Sequence, residues 1–186
     1  SITQAYGTAI TAPADPTKEG YGFAGWEPAI PETMPAENLT LTAKWTVGRY
    51  TLSFDTDGGS DVASITQDYG TAITAPAEPT KEGYTFAGWD GQVPDTMPAE
   101  DKTFTAVWTI GKYTITFDTA GGSDISAITQ EYGTAISKPA NPTREGYTFA
   151  GWSEEIPATM PAEDLTITAN WTVNRYTIRF VVDGVE

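Results

Sequence analysis

An eleven-residue phrase recurs along the chain: PTKEGYGFAGW at 16–26, PTKEGYTFAGW at 79–89 and PTREGYTFAGW at 142–152. The interval is 63 residues, since 89 − 26 and 152 − 89 both equal 63, and the same offset relates Trp45, Trp108 and Trp171 and also Tyr50, Tyr113 and Tyr176. A fixed period without insertions marks one structural unit repeated in tandem. The period predicts repeat 1 at 1–49, repeat 2 at 50–112, repeat 3 at 113–175 and the start of a fourth at 176–186. Residue 1 matches Ser64, so repeat 1 lacks the strand that YTLSFDT supplies to repeat 2, whereas RYTIRFVVDGVE at the other end repeats that strand without a body behind it.

A 63-residue unit buries only roughly 60% of its unfolded surface and sits near the lower limit for folding unaided. The chain has no Cys and no His, which removes disulfides, Cys/His zinc sites and thiol, Ser-His or Cys-His nucleophiles. Support must come from aromatic burial inside each repeat and from contact between neighbours. Ten Lys and Arg against 25 Asp and Glu give a net charge of −15. Such a surface repels nucleic acid, anionic headgroups and sulfated glycans, so none of these is an expected partner. No apolar run approaches the ~20 residues of a membrane helix, so no membrane insertion is expected in this segment. SITQAYGTAI at the start does not read as a signal peptide.

Within a repeat the hydrophobic pattern has period two. Tyr50, Leu52 and Phe54 alternate with Thr51, Ser53 and Asp55, which predicts a half-buried strand. DGGSD then supplies glycines, and ASITQDYGTAI restarts an apolar side at Ile65 and Tyr69, predicting a hairpin with a loop of more than two residues. Pro16, Pro79 and Pro142 followed by Gly20, Gly83 and Gly146 predict a short helical turn or tight loop. A third strand follows at Tyr84–Trp89 and a fourth over Lys102–Trp108, matched in repeat 1 by Leu39, Leu41, Ala43 and Trp45. The joints TVGR, TIGK and TVNR have only four residues each, too few to act as a flexible tether.

The order YTxxFDTxGGS, ITQxYGTA, PTKEGYTFAGW and LTxTAKW resembles the Listeria/Bacteroides repeat family, the internalin B-type repeats of bacterial surface proteins. The likeness covers the whole chain, departing from the pattern in the short stretch between GW and MPAED and in Gly22, which stands where repeats 2 and 3 have Thr85 and Thr148. The resemblance implies a small β-grasp-like unit, export to the bacterial cell surface and a role as spacer or adhesion segment without catalysis. The expected fold is therefore mostly β, a small α+β class of three tandem β-grasp-like repeats in an elongated array. Compact-domain scaling gives each unit a diameter of roughly 27 Å, so three in line would span on the order of 80–100 Å.

Residues that could carry chemistry are few. Tyr21, Trp26, Tyr84, Trp89, Tyr147 and Trp152 could form a repeated aromatic face for a host receptor or a neutral glycan, or could be core anchors. The stretch from Asp55 to Asp61 resembles a calcium loop, but repeat 3 has Ala120 in place of Asp57, and an Asp/Gly turn explains the letters. Glu19, Glu82 and Glu145, with Glu37, Glu100 and Glu163, offer carboxylates without room for a pocket. A Lys–Asn isopeptide crosslink is disfavoured because Arg144 stands where Lys18 and Lys81 stand, and Val107 where Lys44 does. The expectation is a non-catalytic stalk or spacer with no cofactor and no metal, whose partners are other domains of the same surface protein. A further expected partner is a second molecule, joined by head-to-tail strand exchange at the terminal strand.

Overall fold

The computed structural model describes residues 1–182, which contain ten β-strands and no helix. Two compact units divide the chain: Ser1–Pro79 with Gly88–Val107, and Thr80–Ala87 with the described residues from Trp108 onward. Their boundaries cut through repeat 2. The expected α+β character is absent. Of the helical turn and the tight loop that proline and glycine left open, the tight loop forms: the Tyr21 and Tyr84 amides donate to the Lys18 and Lys81 carbonyls, each at 3.0 Å, closing β-turns. Glycine at the third position of these turns, Gly20 and Gly83, has φ of 75° and 76°, which L-residues with a side chain resist.

Repeat 1 contributes β1 (Tyr21–Glu27) and β2 (Thr42–Val47), an antiparallel pair. Repeat 2 contributes β3 (Arg49–Asp55), β4 (Ile65–Asp68), β5 (Tyr84–Trp89) and β6 (Lys102–Ile110) in the order β4-β3-β6-β5. Repeat 3 repeats this arrangement with β7 (Lys112–Asp118), β8 (Ile128–Glu131), β9 (Tyr147–Trp152) and β10 (Leu165–Val173) in the order β8-β7-β10-β9. In each complete repeat the two central strands are parallel: Leu52–Asp55 pair with Lys102–Thr105, and Ile115–Asp118 pair with Leu165–Thr168. A carboxylate fixes the register, with the Thr51 amide donating to Asp101 Oδ1 and the Thr114 amide to Asp164 Oδ1, both at 2.7 Å.

The predicted alternation places Leu52 and Ile115 in the two cores with no exposure at all. Leu52 packs with Met97 and Phe104, and Ile115 with Phe117, Ile156, Met160 and Ile167. Repeat 1, which has no equivalent of β3 or β7, has no such cluster; Gly20 is its one fully buried residue. At the other end, residues 176–180, expected as a strand, lie outside the named strands. The last residues of that expected strand, 183–186, lie outside the described residues.

The Gly-rich loops are left-handed turns. Asp57 and Gly58 have φ of 47° and 82°, Ala120 and Gly121 have 49° and 86°, and the Gly59 and Gly122 amides close the turns on Thr56 and Thr119. Asp-Gly suits two consecutive left-handed positions, whereas alanine there carries a steric cost of about 1 kcal/mol or more. Replacing Ala120 with Asn is expected to stabilise the protein by about 0.5–1 kcal/mol. A urea-unfolding midpoint that stays put or falls would contradict this strain at position 120.

Candidate functional site

The joint between repeats recurs with the same geometry along the chain. In the first joint the Gly48 amide donates to the Gly20 carbonyl at 2.8 Å, and the Gly48 carbonyl accepts from the Tyr69 amide at 2.8 Å. The second joint has the same pair of bonds, Gly111 to Gly83 at 2.8 Å and Tyr132 to Gly111 at 2.9 Å. One glycine thus ties the turn of the preceding repeat to the hairpin strand of the next. Its own α-carbon is crowded: a Cβ on Gly48 or Gly111 would lie 2.8 Å from the hydroxyl of Tyr50 or Tyr113.

Side chains lock over this backbone. The Tyr69 ring lies on Gly20 and the Tyr132 ring on Gly83, so close that a Cβ on either glycine would sit 2.1 Å from a ring carbon. Tyr69 meets Tyr21 edge to face at 5.8 Å between centroids and 77°, and Tyr132 meets Tyr84 at 6.0 Å and 78°. The cation of the repeated phrase covers the tyrosine: Lys18 Nζ stands 3.9 Å from the Tyr21 centroid, Lys81 Nζ 4.8 Å from that of Tyr84, and the Arg144 guanidinium 3.9 Å from that of Tyr147. A cation over a ring is a role that Lys and Arg share, which accounts for the exchange at position 144.

The third joint is built only in part. The Asn174 amide donates to the Gly146 carbonyl at 2.9 Å, as Gly48 and Gly111 do, and the Asn174 side chain accepts from the Thr148 hydroxyl at 2.6 Å. No ring covers Gly146: a Cβ there would meet nothing within 4 Å. Tyr147 is correspondingly 36% exposed, and Tyr6, which matches Tyr69 and Tyr132 at the period, is 78% exposed.

The six aromatic residues singled out from the sequence therefore separate. Tyr21 and Tyr84 belong to finished joints, and Tyr147 to the open one. Trp89 and Trp152 turn inward, meeting Phe54 at 5.0 Å and Phe117 at 5.3 Å beside the two core clusters. Strict alternation would send the tryptophan to the face opposite the phrase's Phe, but a bulge corrects the phase. Ala24 is skipped in the pairing with β2, Gly25 takes φ of 106°, and Trp26 comes round to Phe23 at 5.5 Å. Trp26 itself has no equivalent of Phe54 or Phe117 to pack on.

The carboxylates of the calcium-like loop act within the backbone. Asp55 Oδ1 accepts from the Asp57 amide at 3.0 Å, and Asp118 Oδ1 from the Ala120 amide at 2.9 Å. Among the described residues no three His, Cys, Asp or Glu side chains gather in a way that could hold a metal. Sequence reasoning missed Tyr69 and Tyr132 as joint residues, although their constancy at the period, together with that of Gly20 and Gly83, was a usable signal.

Sheets of this order, tied by a repeated glycine–tyrosine joint, define a tandem all-β repeat protein. The chain belongs to the Listeria-Bacteroides repeat domain family, which it matches three times, over residues 1–44, 50–107 and 113–173. It is similar to a Gly-rich membrane protein of Evansella cellulosilytica, 37% identical over 96% of this chain and 24% of that protein. It is also similar to Internalin H of Listeria monocytogenes, 41% identical over 48% of this chain and 18% of that protein. The chain thus spans about a quarter or less of the length of these relatives. A solved pair of Streptococcal High Identity Repeats in Tandem (SHIRT) domains from a cell-surface protein is 18% identical over 68% of this chain and 98% of that one. The TM-score of 0.26 is too low to carry detail across.

Gly83 and Gly146 provide an internal control, because their φ values of 76° and 77° are alike and only Gly83 lies under a ring. Gly83→Ala is expected to destabilise the protein by about 1–3 kcal/mol more than Gly146→Ala, the cost of displacing a packed aromatic. Equal losses in chemical denaturation would mean that Tyr132 contributes nothing to holding the joint.

Proposed function

We propose that this chain is a non-catalytic spacer segment of a bacterial cell-surface protein, displayed outside the cell to project or separate other domains of the same polypeptide. The observation that carries the reading is the duplicated joint, whose backbone bonds agree within 0.1 Å between the first and second copies. A linker meant to swing has no use for two hydrogen bonds and an aromatic lock. Such joints convert repeat number into reach. Membership of a repeat family with an internalin among the chain's relatives supports the surface setting. The central parallel pair and the order β4-β3-β6-β5 support a β-grasp-like repeat in which turns replace the helix. The acidic surface, with a net charge of −15, favours solubility of an extended molecule.

Small-angle X-ray scattering on the dilute protein tests the spacer directly. A maximum dimension on the order of 80–100 Å is expected for three compact units in line. A much shorter or broadly distributed particle would remove the stalk reading.

A further inference from the structure

A recess of about 390 Å³ opens in repeat 3 between two segments, residues 138–141 and 152–156. Backbone bonds fix its walls. The Ile136 amide donates to the Ala158 carbonyl at 2.9 Å, and Ser153 makes a pair of bonds with Thr168, its amide donating at 2.7 Å and its Oγ accepting at 3.0 Å. Ile156, 5% exposed, anchors the second segment in the core. Trp152 packs on Phe117 and Phe149, each at 5.3 Å between centroids, and remains half-buried, so the indole surface that those rings leave uncovered lines the recess. Lys138, Asn141, Glu154 and Glu155 supply its polar lining. Lys138 Nζ lies 3.5 Å from Glu155 Oε1, an ion pair that bridges the two segments.

The period supplies an internal comparison. At the matching positions repeat 2 has Ala75, Glu78, Gly91 and Gln92, and repeat 1 has Ala12, Asp15, Pro28 and Ala29. The tryptophan and Pro139, by contrast, recur in all three repeats, as Trp26 and Trp89 and as Pro13 and Pro76, which suits residues that build the unit. The ammonium, the amide and the two adjacent glutamates occur together only in the third. The core does not require them, because all four side chains are exposed. Ala75, Glu78, Gly91 and Gln92 are exposed as well, in a repeat that has another on each side of it in the sequence. This place on the unit therefore faces solvent in a repeat with neighbours before and after it.

We propose that this recess binds a neutral glycan, with one hexose ring stacked on Trp152. A pyranose has an apolar C–H face and a rim of hydroxyls. The indole offers a flat apolar surface to the face. Each hydroxyl both donates and accepts, and the recess holds both complements: Glu154 and Glu155 accept, while the Lys138 ammonium and the Asn141 amide donate. Two neighbouring hydroxyls match the two oxygens of one carboxylate. The volume lies near the lower end of the roughly 300–1,000 Å³ of small-ligand sites, which suits a short saccharide. One lysine against two glutamates leaves the recess negative, in a chain of net charge −15, and this disfavours sialylated, uronic and sulfated sugars. A cationic peptide is the other chemistry that a tryptophan beside carboxylates attracts, but Lys138 in the same recess repels it. Of the six aromatic residues singled out from the sequence, Trp152 alone has this polar surround. The inference stands apart from the spacer reading, since it depends on repeat 3 by itself.

Proton–nitrogen NMR of the 186-residue chain provides the test, because its six tryptophans give separate indole N–H signals. Trp89→Phe and Trp152→Phe assign the two signals that matter. The chain is titrated with cellobiose, lactose and chitobiose, and with trilysine as the cationic probe. At least one of the three sugars is expected to move the Trp152 signal saturably while the Trp89 signal stays in place. The triple variant Lys138→Ala/Asn141→Glu/Glu154→Gly, which gives repeat 3 the residues that repeat 2 carries and folds with, is expected to lose that movement with the rest of its spectrum unchanged. No movement with any of the three sugars, equal movement of Trp89 and Trp152, or a triple variant that still responds would each overturn the inference. A response to trilysine in place of the sugars would overturn it in favour of a cationic peptide.

Discussion

Each complete repeat depends on the pairing of its first strand with its last. β3 and β6 are about fifty residues apart at their paired ends, yet Leu52 lies against Lys102 and Phe54 against Phe104. That pairing closes the core, because Leu52 is the residue on which Met97 and Phe104 converge. A parallel pair requires a long crossover, supplied in most folds by a helix. Here it is supplied by the short hairpin strand, the proline–glycine turn and the return through the TMPAED segment. Repeat 1, over residues 1–49, has a shorter β2, no strand at 2–5 and no cluster of fully buried apolar side chains.

The second constraint is the close approach of a tyrosine ring to a glycine in the preceding repeat. With 63 residues, no disulfide and no metal ligand of the Cys or His kind, a repeat gains from burying part of its surface on its neighbour. Tyr69 and Tyr132 do this while their backbone amides bond the joint glycine, so each supplies both an apolar and a polar contact. The compact units of the chain run across repeat boundaries. Sequence periodicity and structural compactness therefore describe different divisions of the same polypeptide.

Much of the fold was legible in the letters. Period-two alternation gave the strand positions and the inward residue Leu52, because a sheet with one solvated face imposes that alternation. Met97 and Met160, each 1% exposed, were not legible. They lie in an irregular connection, where no periodicity distinguishes a core residue from a loop residue. The proline–glycine segment was left between a helical turn and a tight loop because the same residues open and close helices and β-turns alike. The inward facing of Trp89 and Trp152 was not legible for a different reason. A single skipped alanine in the bulge reverses side-chain phase, and a bulge leaves only a glycine as its trace.

The sequence by itself determined the repeat, its length, the places of its strands and the family to which it belongs, since all of these are local or periodic properties. It also determined which chemistries are absent, because residue types that do not occur cannot act. Only the tertiary structure decided that the central strands are parallel and that Tyr69 and Tyr132 join one repeat to the next. Those facts depend on residues tens of positions apart meeting in space. Alternation along a strand records which side is buried but not which strand lies alongside.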